Sequence, residues 1–111
     1  MEKIPIKPLS VNEVWKGKRY KTKKYKVYEC LLMFKLNAIR INVPDGKLSL
    51  SVNVGFSSKS ADIDNVLKPF IDILQKKYSF DDNRIYRINI EKTIVPKGKE
   101  FIEFEINSYL F

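Results

Sequence analysis

The stretch that decides the fold is residues 48–56, LSLSVNVGF, in which every second residue is large and apolar. The residues between them are serine, asparagine or glycine, and this alternation is typical of a β-strand with one buried face. We therefore expect a strand that packs one side against a hydrophobic core and turns the other toward polar surroundings.

Helical periodicity flanks this strand on both sides. Upstream, apolar residues recur at spacings of three and four after Thr22, a good N-cap residue, and predict a helix over about 22–37. Residues 39–43 alternate and leave a short strand open as an alternative. Downstream, the same spacings predict a second helix over about 62–77.

The other strands follow from alternation and from proline positions. Residues 4–8 contain two prolines and can only be an extended or edge segment. Residues 86–90 and 102–106 alternate on either side of a Pro-Lys-Gly turn and predict a terminal hairpin. The order β-α-β-α-β-β predicts an α+β fold, a small mixed β-sheet with two helices packed on it, in a single domain over 1–111.

Composition excludes several kinds of site. The chain has one cysteine, Cys30, and no histidine. An intramolecular disulfide, a Cys/His zinc site, a Ser-His-Asp triad and a Cys-His pair therefore cannot form. The chain starts without an apolar leader and has no long apolar run, so we expect no export, no membrane span and a cytoplasmic location.

Charge is distributed unevenly along the chain. The net charge is 21 − 13 = +8; residues 1–60 carry 13 − 4 = +9, and residues 61–111 carry 8 − 9 = −1. Such an excess of positive charge in the first half favours a polyanionic partner.

The basic residues are densest over 16–26, where seven of eleven are Lys or Arg and aromatic residues lie among them. Phosphate contact with base or sugar stacking is the functional interpretation. The alternatives are a solvated helix N-terminus, with Tyr25 and Tyr28 facing the core, or contact with an acidic membrane surface. The predicted DNA-binding residues of this segment are Lys16, Lys18, Arg19, Lys21, Lys23 and Lys24.

Five of the six aspartates lie between residues 62 and 82. Asp64, Lys68 and Asp72 are four apart in turn and share one face of the predicted helix. Asp62 can converge with Asp64 only if it precedes the regular helix. Asp81 or Asp82, at the start of the next strand, can return to the same edge of the predicted sheet. Helix caps, an i,i+4 pair and turn residues are the structural alternative.

Clustered carboxylates inside a basic protein suggest a divalent cation. Carboxylates repel phosphate, and Mg²⁺ neutralises them while bridging to the phosphate. A water bound to the cation can become the attacking hydroxide, and Lys68 can stabilise the charge that develops.

These residues resemble a known family. Residues 61–72, ADIDNVLKPFID, followed ten residues later by Asp82, resemble the D-x-D-N-x-x-K…D…D-D pattern of RusA-type Holliday junction resolvases. Residues 7–12, KPLSVN, are similar to that family's P-x-S-x-N start. The resemblance spans about residues 5–105, and it implies a small mixed sheet with two helices.

The resemblance also implies a function and a site. The protein would be a homodimeric, Mg²⁺-dependent endonuclease, with Mn²⁺ as an alternative cation, that resolves four-way DNA junctions by paired nicks during recombination and repair. The family's roles carry over to these positions: metal ligands and catalytic carboxylates at Asp62, Asp64 and Asp82; the catalytic lysine at Lys68; DNA binding at Asn12; and supporting residues at Asn65, Asp72 and Asp81.

Two further expectations accompany this interpretation. Two symmetric nicks require two sites, so a C₂ homodimer is expected, with an interface drawn from the apolar residues of the last strand and the C-terminus. Two other functional classes stay open: a non-catalytic nucleic-acid-binding module whose binding ignores Mg²⁺, and a metal-dependent nuclease that acts on flap or single-stranded DNA.

Overall fold

The computed structural model describes residues 1–18 and 20–110. Arg19, a predicted DNA-binding residue, and Phe111, a predicted interface residue, lie outside the described part. The strands and α-helices, in chain order, are β1 (Glu2–Ile4), β2 (Trp15–Lys16), β3 (Tyr20–Lys21), α1 (Lys23–Leu36), β4 (Leu48–Phe56), α2 (Leu67–Tyr78), β5 (Ile85–Ile94) and β6 (Phe101–Ser108). Three short 3-10 turns occupy Val11–Glu13, Asp64–Val66 and Asp82–Arg84.

The main sheet has four strands in the order β1-β6-β4-β5. Strand β4 pairs antiparallel with β6 and parallel with β5, and β6 pairs antiparallel with β1. Parallel neighbours need a crossover connection, and α2 provides it between β4 and β5. The α+β fold with a mixed sheet and two helices is thereby confirmed.

Strand β4 is the most buried strand, and it lies inside the sheet between β6 and β5. Its large apolar residues all belong to the hydrophobic core, as the alternation predicts. On the opposite face the ring of Phe101 lies over Gly55, where an added Cβ would come within 2.4 Å of the ring carbons. Glycine at this position therefore permits close packing between β4 and β6.

Both helices pack on the core face of the sheet. Helix α1 begins after Thr22, whose side chain accepts a hydrogen bond from the Tyr25 N–H at 3.1 Å, as expected for an N-cap. Its buried residues Tyr25, Tyr28, Leu32 and Leu36 match the predicted stripe. In α2, Phe70 meets Phe104 of β6 edge to face, with centroids 5.5 Å apart.

The predicted terminal hairpin is wrong. Strands β5 and β6 are not neighbours, because β4 lies between them. Residues 95–100 cross the end of β4, and six residues easily span the roughly 10 Å between strands that are two positions apart. This order places the more exposed β5 at the edge and covers both sides of the apolar β4.

Three local predictions also need correction. Regular helix begins at Leu67 and not near 62, because a helix from 62 would place Pro69 in its interior, where proline lacks the required N–H donor. Asp81 and Asp82 lie in a turn before β5 and do not open the strand. Residues 39–43 form no strand, while the short β2–β3 ribbon was not predicted.

The C-terminal apolar residues are used within the chain. Ile102 and Phe104 are buried in the hydrophobic core, and Phe101 is buried over Gly55 on the opposite face of the sheet. For these three residues the expected role in a dimer interface is therefore wrong, although Leu110 remains exposed. Among the described residues, no helix is long and apolar enough to cross a membrane.

Candidate active site

The first two motif carboxylates lie at the entrance to α2. Asp62 precedes the 3-10 turn that Asp64 begins, so Asp62 stands outside regular helix, as convergence with Asp64 requires. Asn65 donates from Nδ2 to Asp62 Oδ2 at 3.3 Å. Both aspartates are exposed to solvent and accessible to a ligand.

A cleft of about 330 Å³ adjoins Asp62. Its walls come from the N-terminal segment around Lys7 and Ser10, from the end of β4 and following serines, and from Glu100. The two separate pieces of the family-like pattern, residues 7–12 and 61–72, thus meet at one cleft.

Glu100 is a cleft residue that sequence reasoning missed. It accepts hydrogen bonds from Ser57 Oγ at 2.9 Å and from the Gly98 N–H at 2.8 Å. Hydrogen bonds from its own backbone and from Ser57 lower the pKa of Glu100, so this carboxylate stays ionised. Its position 38 residues after Asp62 carries no local pattern that points to the cleft.

Lys68 is the centre of a second group of charges farther along α2. Its Nζ lies 3.0 Å from Asp72 Oδ1 and 3.8 Å from Asp82 Oδ2. The hydrogen bond to Asp72 raises the pKa of Lys68, so the ammonium form is maintained. The Lys68–Asp72 part of the predicted polar face is confirmed, and it meets Asp82 as well, whereas Asp64 lies in the 3-10 turn before α2.

Gln75 connects the Asp82 turn to α2. The Asp82 N–H donates to Gln75 Oε1 at 2.8 Å, and Gln75 Nε2 donates to Asp72 Oδ1 at 3.4 Å. Asp81 has a different role: its Oδ1 caps the turn by accepting from the Asn83 N–H at 3.0 Å. Of the adjacent aspartates, Asp82 is therefore the one that faces the charges of α2.

The carboxylates form two groups along α2. Asp62 and Asp64 stand at its entrance, and Asp72 and Asp82 surround Lys68; residues 64 and 72 are about 12 Å apart along a helix. Within residues 1–18 and 20–110, no three carboxylate or cysteine side chains are close enough to hold a metal ion. The donor types suit a hard divalent cation, and convergence of Asp62, Asp64 and Asp82 on one ion stays a prediction.

The basic segment forms the β2–β3 ribbon and the start of α1. Lys16, Lys18, Lys23 and Lys24 are exposed, and Asn12 is exposed in the preceding 3-10 turn. Lys24 pairs with Glu13 at 2.9 Å.

Aromatic residues divide between the surface and the core. Lys21 Nζ lies 4.1 Å from the centroid of the Trp15 ring and 4.4 Å from that of Tyr25. Trp15 and Tyr20 are 49% and 73% exposed. Tyr25 and Tyr28 are buried, so these two rings face the core, as the structural alternative predicts. Within the basic segment, Trp15 and Tyr20 of the ribbon are therefore the aromatic residues placed to meet a base.

Comparison with known proteins adds one relationship. The model of a family described as Endodeoxyribonuclease RusA matches residues 5–106, nearly the whole chain. A search of curated proteins finds no match.

Proposed function

Because this chain belongs to the RusA endodeoxyribonuclease family, a family of Holliday junction resolving enzymes, we propose that it nicks four-way DNA junctions in a reaction that depends on a divalent cation. Asp62, Asp64 and Asp82 would hold the cation, Mg²⁺ or Mn²⁺. The observation that supports the site is the position of Lys68 between Asp72 and Asp82 on α2, and Asp62 and Asp64 are included on the motif pattern alone.

The cation would supply charge neutralisation and an activated water. Lys68, kept protonated by Asp72, offers a positive charge to the scissile phosphate. Gln75 holds the Asp82 turn against the helix, which keeps Asp82 beside Lys68. Basic residues of the β2–β3 ribbon and α1 would bind the phosphates of the DNA arms.

The site can be tested with a carboxylate series. Asp62→Asn, Asp64→Asn and Asp82→Asn should each abolish nicking and leave DNA binding intact or slightly tighter, because each change removes a negative charge that repels phosphate. Nicking and binding are measured on the same junction, and cation binding is measured by calorimetry without DNA. Near-normal turnover in any one variant would remove that residue from the site.

Asp81→Asn is the matched control. It removes the same charge one residue away, but Asp81 caps its own turn, whereas Asp82 is the residue held beside Lys68. We expect much of the nicking to remain and little change in stability, because the asparagine side-chain oxygen can accept the same hydrogen bond from the Asn83 N–H. Equal loss of nicking in Asp81→Asn and Asp82→Asn would contradict the assignment of Asp82, and not Asp81, to the site.

Substrate preference needs its own comparison. A mobile four-way junction, a flap, a single strand and a duplex of matched length are incubated with the protein, with and without Mg²⁺. Preferred cleavage of the junction supports a resolvase. Preferred cleavage of the flap or single strand would favour the simpler nuclease, and binding without cleavage under all conditions would favour a non-catalytic module.

We also propose a homodimer that acts in DNA recombination and repair in the cytoplasm. Two symmetric nicks require two sites, and one described chain offers a single Asp82–Lys68 centre. Light scattering should give a mass near twice 13.1 kDa without DNA. A monomer that nicks one strand only would contradict paired resolution.

A further inference from the structure

An aromatic and cationic cluster lies at the end of the sheet where β4 and β5 begin. The rings of Tyr86 and Tyr109 stack with centroids 5.9 Å apart and planes 28° apart. Lys47 Nζ lies 4.9 Å from the Tyr86 centroid, and the Arg87 guanidinium lies 5.0 Å from the Tyr109 centroid. Each ring therefore has one cationic side chain over it. Lys47, Tyr86, Arg87 and Tyr109 are together called the Tyr86 cluster.

Strand pairing builds the Tyr86 cluster. The Tyr109 N–H donates to the Lys47 carbonyl at 2.8 Å, which places these residues side by side at the end of the β4–β6 pair. On the other side of β4, the register with β5 shifts between Leu48 and Ser49, and Tyr86 is the extra residue. A bulge of this kind changes the direction in which a side chain points. Tyr86 is 59% exposed.

A cleft of about 480 Å³ adjoins Tyr86, and it is lined by Gly46, Lys47, Asn83, Arg84 and Tyr86. Arg84 donates from Nε to the Gly46 carbonyl at 3.0 Å and from a terminal nitrogen to the Pro44 carbonyl. These bonds hold the loop before β4 against the turn before β5, so the cleft is formed before any ligand arrives. Preformed sites lose less entropy on binding.

The chemistry of this surface matches an unstacked nucleotide. The cleft lining contains two cations and no carboxylate; Asp45 precedes Gly46 but does not line it. An arginine stacked on a ring keeps its N–H edge for phosphate. A base can stack on the exposed Tyr86 ring when the Lys47 ammonium, 4.9 Å from the ring centroid, moves from the ring to the nucleotide's phosphate. Asn83 directly follows Asp82, so the cleft borders the turn that carries a proposed cation ligand.

We propose that the Tyr86 cluster and its cleft bind an unpaired nucleotide next to the scissile phosphate, with the base on Tyr86 and its phosphates on Lys47 and Arg87. This inference rests on the proposed function, because it requires DNA at the Asp82 turn. It would let a small domain distinguish branched DNA from duplex, because a base at a branch point can leave the stack without breaking a continuous helix.

The test compares Tyr86→Ala with the wild-type chain on two DNAs in metal-free buffer. One is a four-way junction with 2-aminopurine at the branch point, and the other is a fully paired duplex with the same label. Removal of one base–aromatic stack should weaken junction binding about tenfold, leave duplex binding nearly unchanged and abolish the quenching of 2-aminopurine by bound protein. Arg87→Gln should weaken junction binding without abolishing the quenching.

Two variants serve as controls. Tyr86→Phe keeps the ring and should retain both affinity and quenching. Phe34→Ala removes another exposed aromatic ring, 74% exposed on α1, and should change neither. Unaltered junction binding in Tyr86→Ala, or equal weakening on junction and duplex, would overturn the inference.

The remaining outcomes separate this inference from the proposed function. A wild-type chain that nicks junctions while Tyr86→Ala binds them normally refutes only the Tyr86 site. A wild-type chain that neither binds nor nicks DNA refutes both. If Tyr86→Ala converts a dimer into a monomer, the cluster is a contact between copies and the nucleotide site is refuted.

Discussion

At the scale of single residues, two tyrosines one turn apart on α1 differ in one hydrogen bond. Tyr25 donates to Glu29 at 3.0 Å, whereas the buried Tyr28 hydroxyl has no partner among the described residues. An unsatisfied buried hydroxyl costs about 1–3 kcal/mol. We predict that Tyr28→Phe leaves the free energy of unfolding unchanged or raises it by up to about 1 kcal/mol, measured by urea denaturation.

Tyr25→Phe is the matched control, because it removes the same atom but breaks a hydrogen bond. It should lower the free energy of unfolding by about 1 kcal/mol. An equal decrease in both variants would show that Tyr28 has a hydrogen-bond partner that stabilises the fold.

At the scale of secondary-structure elements, Glu29 ties α1 to α2 by accepting from Lys76 at 2.5 Å. This hydrogen bond lowers the pKa of Glu29 from its ordinary value of 4.5. The stabilisation is therefore present above that unfolded pKa and is lost as pH falls through the folded pKa. We predict that Glu29→Gln costs less than about 1 kcal/mol at neutral pH, since the pair is partly exposed, and close to nothing once Glu29 is protonated.

Denaturant titrations at neutral pH and at the lowest pH at which the chain stays folded test this dependence, because the lowered pKa of Glu29 requires a strongly acidic comparison. Glu105→Gln changes an exposed glutamate on β6 and should have little effect at either pH. If Glu29→Gln remained equally destabilising at low pH, the destabilisation would come from packing and not from charge.

At the scale of the whole molecule, the excess of positive charge in residues 1–60 predicts how DNA binding depends on salt. Changing Lys21, Lys23 and Lys24 together to alanine should weaken junction and duplex binding alike. The slope of log K against log salt should fall by about two to three units, because each phosphate that a lysine neutralises adds roughly 0.9 unit to it. Nicking at saturating enzyme should persist, because these residues lie outside the proposed site.

Fluorescence anisotropy over a series of salt concentrations gives the slope. Lys97→Ala with Lys99→Ala is the control, since both lysines lie in the β5–β6 connection and outside residues 16–26. An unchanged slope in the triple variant would show that the segment does not touch the DNA backbone.

The sequence by itself determined both helices, the three long strands and the side chains that share a face, but not the short β2–β3 ribbon. The alternation in β4 and the polar face with Lys68 and Asp72 come from periods of two and 3.6 residues, and the Thr22 cap comes from the residue type at the helix start. All three signals act over short distances and are visible in one stretch of chain. Even the late start of α2 could be read from Pro69.

Only the tertiary structure decided which distant elements are neighbours. Strand β4 separates β5 from β6 because the most buried strand needs a partner on each side, and no local pattern specifies those partners. The choice of Asp82 over Asp81 beside Lys68 depends on Gln75 seven residues earlier. The meeting of Tyr86 with Tyr109 depends on pairing across β4, where contact energies between remote segments outweigh local preference.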